Sequence, residues 1–251
     1  TAWSSFCGGP YEQLPYLVLG RFLSMSEAGF YNRALNLSQI PQKMVLGSVF
    51  TLMLPVMSSK VRVGESVKEL YLRGVAYISA VQWPALILLV VLTHPVVHVM
   101  LGGQWLDAVP IVRIMALAAL FSLCSDLNSA TLISSGGIRD IMWRTLIAVP
   151  VAGLVLCAAA GFGLKAMALS FFLTVPFHEF LMLQAVQRRV AFAWRELGGV
   201  LWQSAVVTGC SAIGPLALVA MMGFRFDLSV AMAGLAAALS AAGWMGGLWL
   251  T

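Results

Sequence analysis

The sequence predicts an all-α, polytopic membrane helix bundle of about eight transmembrane helices. Three observations predict it. Hydrophobic residues make up 60% of the 251-residue chain, against about 45–50% in soluble domains. Charged residues make up only 10%, against roughly 25%, too few to cover a water-facing surface of this size. The apolar stretches are also apolar all round. Trp83–Leu92 and Leu228–Leu239 lack the apolar–polar alternation of barrel strands. A soluble globule and a disordered chain are excluded, and helices are favoured over a barrel. A span needs about 20 apolar residues, so about 30 residues per span plus loop gives about eight spans.

The spans follow in order. The first, about Tyr11 to Ser24, is weak because it carries Glu12, Gln13 and Arg21. The second runs from about Tyr31 to Met57, with Lys43, Pro41 and Pro55. The third is about Tyr77 to Leu101 and the fourth about Ala108 to Ser134. The fifth, sixth, seventh and eighth run from about Ile141 to Ala160, Leu164 to Val186, Val200 to Met222 and Leu228 to Leu250.

The loops between them alternate in charge. Lys60, Arg62, Lys68 and Arg73 follow the second span, Arg139 and Arg144 the fourth, and Arg188, Arg189 and Arg195 the sixth. The opposite loops hold only Lys165 and Arg225. The positive-inside rule places the basic loops, and with them both ends of the chain, in the cytoplasm. The net charge of +5 is thus a topology signal, and no nucleic-acid partner is expected. Ser58–Arg73 and Val190–Trp194 mix apolar and basic residues, as short interfacial or solvated loop helices do.

The four cysteines (Cys7, Cys124, Cys157 and Cys210) include no CxxC pair, so they indicate neither a metal site nor a disulfide framework. The chain starts at Thr1 and stops abruptly after Trp249 and Leu250. It is expected to be a fragment of a longer protein.

Ionisable residues at membrane depth cost about 2.5–3.5 kcal/mol each on insertion scales and usually face a cavity or a partner. Arg21, Arg33, Lys43, Arg113, Asp126, His178 and Glu179 are therefore the functional candidates. In the fourth span, Ser122, Ser125, Asp126 and Ser129 share one helical face, and Arg113, Asn128 and Thr131 roughly another. One face could line a hydrated cavity and the other contact helices; the serines could equally bond to their own backbone. In the sixth span, Ser170, Thr174 and His178 align beside Glu179, with Pro176 among them. Proline predicts a kink or break there, and broken helices beside ionisable groups are common in transporters; a packing kink with a His–Glu pair reads equally well. His94 and His98 form an i, i+4 pair that could bind a metal, but no third ligand is near in sequence, so no metal site is expected. Small residues of the last span, such as Gly234, Gly243, Gly246 and Gly247, suit close helix packing.

No phosphate-binding loop, HExxH or GxSxG is present. A transporter that is not an enzyme is the expectation, and ATP drive would need another chain.

A succession of short motifs adds a family. Leu19-Gly20-Arg21-Phe22-Leu23 leads to Ala28-Gly29-Phe30-Tyr31-Asn32-Arg33-Ala34, then Pro41 and Leu54-Pro55. Leu101-Gly102-Gly103-Gln104-Trp105, Pro110 and Ser134-Ser135-Gly136-Gly137-Ile138-Arg139 follow. Their order resembles the bacterial polysaccharide flippases (Wzx-like) of O-antigen, exopolysaccharide and capsule synthesis. These belong to the multidrug/oligosaccharidyl-lipid/polysaccharide exporter superfamily. Beyond Arg139 only the span pattern agrees.

The resemblance implies a protein of about fourteen helices, of which this chain is the second, MATE-like lobe (1–190) plus a final helix pair (191–251). It implies a place in the bacterial inner membrane and a missing N-terminal lobe as partner, with a polysaccharide polymerase as another. It implies transfer of undecaprenyl-diphosphate-linked oligosaccharide from the cytoplasmic to the periplasmic leaflet by alternating access. From chemistry and position, Arg113, Lys43, Arg33 and Asn128 are candidates for the substrate. Asp126, Glu179 and His178 are candidates for a coupling proton or sodium ion, with no other cofactor expected. A multidrug or cation exporter of the same superfamily, or a non-transporting membrane scaffold subunit, are the alternatives. An exporter of cations is expected to have an acidic pocket, whereas intramembrane basic residues outnumber acidic ones here.

Overall fold

The computed structural model describes residues 25–122, 125–223 and 230–250. The expected first span, Arg21 and Arg225 lie outside the described residues. Among those described, every regular element is helical, and the chain is an all-α polytopic membrane bundle. Eleven α-helices follow in order: α1 (Met25–Ser38), α2 (Ile40–Arg62), α3 (Lys68–Val91), α4 (Thr93–Leu101), α5 (Val109–Ala119), α6 (Ser125–Ser134), α7 (Ile138–Ala160), α8 (Leu164–Leu169), α9 (Phe171–Val190), α10 (Trp194–Met221) and α11 (Val230–Leu250). A short 3-10 turn, Gly103–Ala108, joins α4 to α5.

Five segments among the described residues are long and apolar enough to cross a membrane: α3, α7, α8 with α9, α10 and α11. They correspond to the expected third, fifth, sixth, seventh and eighth spans. The second expected span is the pair α1–α2, and the fourth is the pair α5–α6. Pro41 starts α2 beside Gln39, whose backbone stays near-helical, so the α1–α2 joint is a shallow bend.

The helices run alternately up and down, so the turns at 63–67, 135–137 and 191–193 meet at one end of the bundle. All nine basic loop residues read from the sequence belong to this end. The four ion pairs among the described residues are here too: Lys60–Glu65 (2.5 Å), Lys68–Glu196 (2.7 Å), Arg73–Glu69 (2.5 Å) and Arg189–Asp140 (2.8 Å). The Lys60 ammonium holds the Glu65 carboxyl below its ordinary range. The 135–137 turn is tight. Gly136 has φ +72°, which favours glycine, and Arg189 Nη1 donates to the Ser135 carbonyl at 2.7 Å.

Two expected loop helices are not separate elements. Ser58–Arg73 is the end of α2, a short turn and the start of α3. At Val190–Trp194, α9 ends on Ala191 in the left-handed region (φ 54°), and α10 begins at Trp194. The Glu196 carboxylate caps that start by accepting from the Ala193 N–H at 2.8 Å.

Pro176 does not break its helix either. Pro55, Pro84, Pro150, Pro176 and Pro215 all lie inside continuous helices. Each removes one backbone donor, and packing against neighbouring helices holds the rest. The sixth span bends instead at Ser170, between α8 and α9, where the Ser170 hydroxyl donates to the Met167 carbonyl at 2.7 Å.

Apolar side chains cluster at both ends. Met57, Tyr71, Leu127, Leu132, Met182 and Phe192 belong to the basic end, and Tyr31, Val97, Val112, Met115, Leu156 and Met167 to the opposite end. α10 packs mainly on α11 and α3. The last-span glycines explain part of this. A Cβ on Gly243 would lie 2.4 Å from the Cys210 carbonyl oxygen, and one on Gly247 2.9 Å from the Val207 Cα. Gly234 and Gly246 face open space. Cys157 and Cys210 are free.

Candidate functional site at a broken helix

The sequence reading made the fourth span one helix with two polar faces. The structure divides it. The helical bonding of α5 tightens into i→i−3 bonds from Leu120, Phe121 and Ser122 to Leu117, Ala118 and Ala119, and α6 begins at Ser125. No proline lies in this stretch. Serine and aspartate offer the backbone side-chain partners that compete with a helix ladder, and Ser122, Ser125 and Asp126 all sit here. The Trp83 indole N–H, from α3, donates to the Leu120 carbonyl at 3.0 Å and satisfies an acceptor the break leaves. Ser122 lies outside the helix, so the predicted face shrinks to Ser125, Asp126 and Ser129.

Glu179 of α9 reaches this break. It is 6% exposed. The Ser125 hydroxyl donates to its Oε1, and the Asn128 amide donates to its Oε2 at 3.2 Å. The Tyr71 hydroxyl, from α3, donates to the Asn128 Oδ1 at 2.8 Å. The Ser122 and Ser125 hydroxyls pair at 3.2 Å. Asn128 and Tyr71 are each 1% exposed. Three helices therefore meet in one chain of polar groups: Tyr71, Asn128, Glu179 and Ser125. Phe192, in the 191–193 turn, stacks on the Tyr71 ring at 5.4 Å and ties the network to the basic end.

None of the four ion pairs among the described residues includes Glu179. Its neighbours are neutral donors and the like-charged Asp126, in the first turn of α6. An ionisable group at such depth usually faces a cavity or a partner. Protonation of Glu179 decides whether it accepts or donates hydrogen bonds. The arrangement can therefore switch bonding between α6 and α9 on gain or loss of one charge.

His178 is half-buried next to Glu179 on α9, and Arg113 is half-buried on α5. Lys43 is exposed on α2. Arg33 is exposed on α1, with its guanidinium carbon 5.5 Å from the Trp105 ring centroid. There it makes a cation–π contact. Phe30 meets the same ring edge-on at 5.3 Å, and a Cβ on Gly29 would lie 3.6 Å from it. The Gly29-Phe30-Tyr31-Asn32-Arg33 and Gly102-Gly103-Gln104-Trp105 motifs thus meet in space. Tyr71 was missed as a site residue. A tyrosine near a basic loop reads as an interface anchor, and only the fold brings it under Asn128. Among the described residues no three metal-ligating side chains cluster, and His94 and His98 stay at the end opposite the basic loops.

Residues 1–110 match the family model described as "Polysaccharide biosynthesis protein". The chain is 25% identical over 120 residues to the teichuronic acid biosynthesis protein TuaB of Bacillus subtilis (strain 168); that covers 48% of this chain and 25% of the relative. It is 27% identical over 114 residues to the succinoglycan biosynthesis transport protein ExoT of Rhizobium meliloti (strain 1021), covering 45% of this chain and 23% of the relative. The matched stretch thus spans about a quarter of the length of these curated relatives. No solved structure matches the chain. The resemblance read from the sequence is borne out over this first stretch as one to polysaccharide biosynthesis and transport proteins, and the stretch holds both motifs that meet at Trp105.

Proposed function

We propose that this chain is the C-terminal half of a flippase for undecaprenyl-diphosphate-linked oligosaccharide repeat units, working by alternating access in the bacterial inner membrane. The observation that carries the reading is Glu179, a carboxylate in none of the ion pairs among the described residues, buried beside a broken helix in a chain similar to polysaccharide biosynthesis and transport proteins. Sugars and a diphosphate cannot cross hydrocarbon unaided, because buried polar and charged groups are costly. Lys43 and Arg113 supply charge for the diphosphate, and Arg33 does so near the outer mouth. Protonation of Glu179, or binding of sodium there with Asp126 and His178, shifts the balance between the two access states. Residues 1–190 form the transport lobe and 191–251 the final helix pair, and the basic end faces the cytoplasm.

The test uses the complete protein in a host strain deleted for it. The wild type restores surface polysaccharide, and Glu179→Gln, at equal abundance, leaves the lipid-linked repeat unit in the inner leaflet. Full restoration by Glu179→Gln overturns the coupling role. A deletion strain with normal flipping overturns the flippase reading as a whole.

A further inference from the structure

One helix face stands out among the described residues. On α1 and α2, Asn32, Asn36, Gln39 and Lys43 follow at i, i+4, i+7 and i+11, so they lie within one narrow face at about 100° per residue. Tyr31, Ala34 and Leu37 of the same helix are buried on the opposite side. Asn32, Asn36 and Lys43 are exposed and Gln39 is half-buried. The Asn36 amide donates to the Asn32 Oδ1 at 2.5 Å and to the Asn32 carbonyl at 3.0 Å, which orders the pair along the face.

The face lies at membrane depth. Gly29 packs beside Trp105 in the turn at one end, and Lys60 is paired in the turn at the other. The 31 residues between them rise about 46 Å, more than the hydrocarbon thickness of about 30 Å. Lys43 is near the middle of that length, and Asn32 is about 16 Å from it along the helix. Centred on that length, the hydrocarbon takes in Asn36, Gln39 and Lys43 and leaves Asn32 at its edge, and two amides and an ammonium exposed to lipid tails would be costly. Glu27 falls on the side of Tyr31 and Ala34, so the face presents amides and cations and no carboxylate.

We propose that the Asn32–Lys43 face is the track that holds the saccharide part of the cargo, with Lys43 at its inner end taking the diphosphate. The inference rests on the flippase reading above and names the residues that read its glycan. The chemistry is selective. A sugar hydroxyl both donates and accepts, and Asn and Gln side chains carry both functions, whereas an ammonium only donates. A phosphate needs the reverse, a charged donor, which Lys43 supplies. The spacing of about 16 Å along the helix lets an extended headgroup be contacted at several points at once.

The test places single cysteines at 32, 36, 39 and 43 in the complete protein, its own cysteines replaced, in proteoliposomes. A cysteine at 154, where Leu154 is 73% exposed on a fully apolar surface, is the lipid-facing control. A small membrane-impermeant maleimide should label the four positions and not 154. Undecaprenyl diphosphate alone should slow labelling at 43 by about tenfold, and the oligosaccharide-bearing lipid should slow it at all four, as a bound polar partner would. Absence of labelling at 32, 36 and 39 overturns the proposal, because the face is then covered by protein or lipid. Protection at 43 with none at the amides by the oligosaccharide-bearing lipid also overturns it and leaves the flippase reading intact. Protection nowhere overturns the proposal, and protection nowhere together with normal flipping in the deletion strain removes the flippase reading as well. Should one cysteine variant fail to fold, the remaining amide positions give the same reading.

Discussion

Two regions bury polar side chains between helices, and they do it differently. In the seam of α3, α10 and α11, Ser79 and Ser204 hydroxyls pair at 2.7 Å, Ser211 pairs with Ser240 at 2.8 Å, and the Trp244 indole donates to the Ala80 carbonyl at 2.8 Å. Every group is neutral, small or backbone, and glycines let the helices touch. At the α6–α9 contact the same kind of network ends on a carboxylate. A neutral seam has one bonding pattern at any pH. A network ending on Glu179 has two. The first is how membrane helices are glued together, and the second is the switch that the proposed function calls for.

The largest expected effect separates the two at once. Glu179→Gln keeps the size of the side chain, replaces one of its two acceptor oxygens by a donor as in the protonated acid, and removes its titration. Transport should fall about a hundredfold, equivalent to about 2.7 kcal/mol of activation free energy, with abundance unchanged. Flux of repeat units across proteoliposomes measures it. Undiminished flux would make the Glu179 network a seam like the other.

The next largest effect belongs to the seam. Gly243→Val pushes a side chain into the Cys210 carbonyl, which a Cβ alone would approach to 2.4 Å. A loss of about 3 kcal/mol is expected, typical of overpacking. It should show as low abundance and a lower unfolding temperature in detergent, with normal flux per folded molecule. Normal abundance would mean that α11 is free to separate from α10. Gly246→Val is the control, since that position meets open space.

Tyr71→Phe is smaller. It removes the donor to Asn128 and keeps the stack on Phe192. About 1 kcal/mol of stability should go, while flux drops by about fivefold as the Asn128 amide loses its fixed orientation. An unchanged flux would confine the working network to Ser125, Asn128 and Glu179.

What could be read from the sequence follows from how local each signal is. The spans and the nine basic residues at one end are sums over many residues, and the fold retains five of the expected spans and the basic end. Glu179 and Asn128 stood out because polar groups are rare in such a chain, yet nothing in the sequence places α9 against α6. Their meeting, and the part of Tyr71 in it, is tertiary. Pro176 marks no break, because a packed helix tolerates one lost backbone bond, while the break after Ala119, in a stretch holding serines and an aspartate, has no such marker. Asn32, Asn36 and Gln39 were passed over individually. Uncharged amides barely lower the hydropathy of a span, and only their shared exposure sets them apart.

The smallest effect sharpens the comparison most. Ser211→Ala removes a hydroxyl that bonds both the Ser240 hydroxyl and, at 3.0 Å, the Ser240 carbonyl. Serine hydrogen bonds between membrane helices average about 0.6 kcal/mol, because the separated helices find other partners in the membrane. The expected loss is of that size, measured by unfolding in mixed micelles, with flux unchanged. Ser125→Ala removes a hydroxyl of the same kind, but its partner is the Glu179 carboxylate. Hydrogen bonds to charged groups are stronger, about 1.5–3 kcal/mol, so Ser125→Ala should cost more and should lower flux. Equal costs for the two serines would mean that the charge on Glu179 adds nothing to its bonding, and the distinction between glue and switch would rest on titration alone.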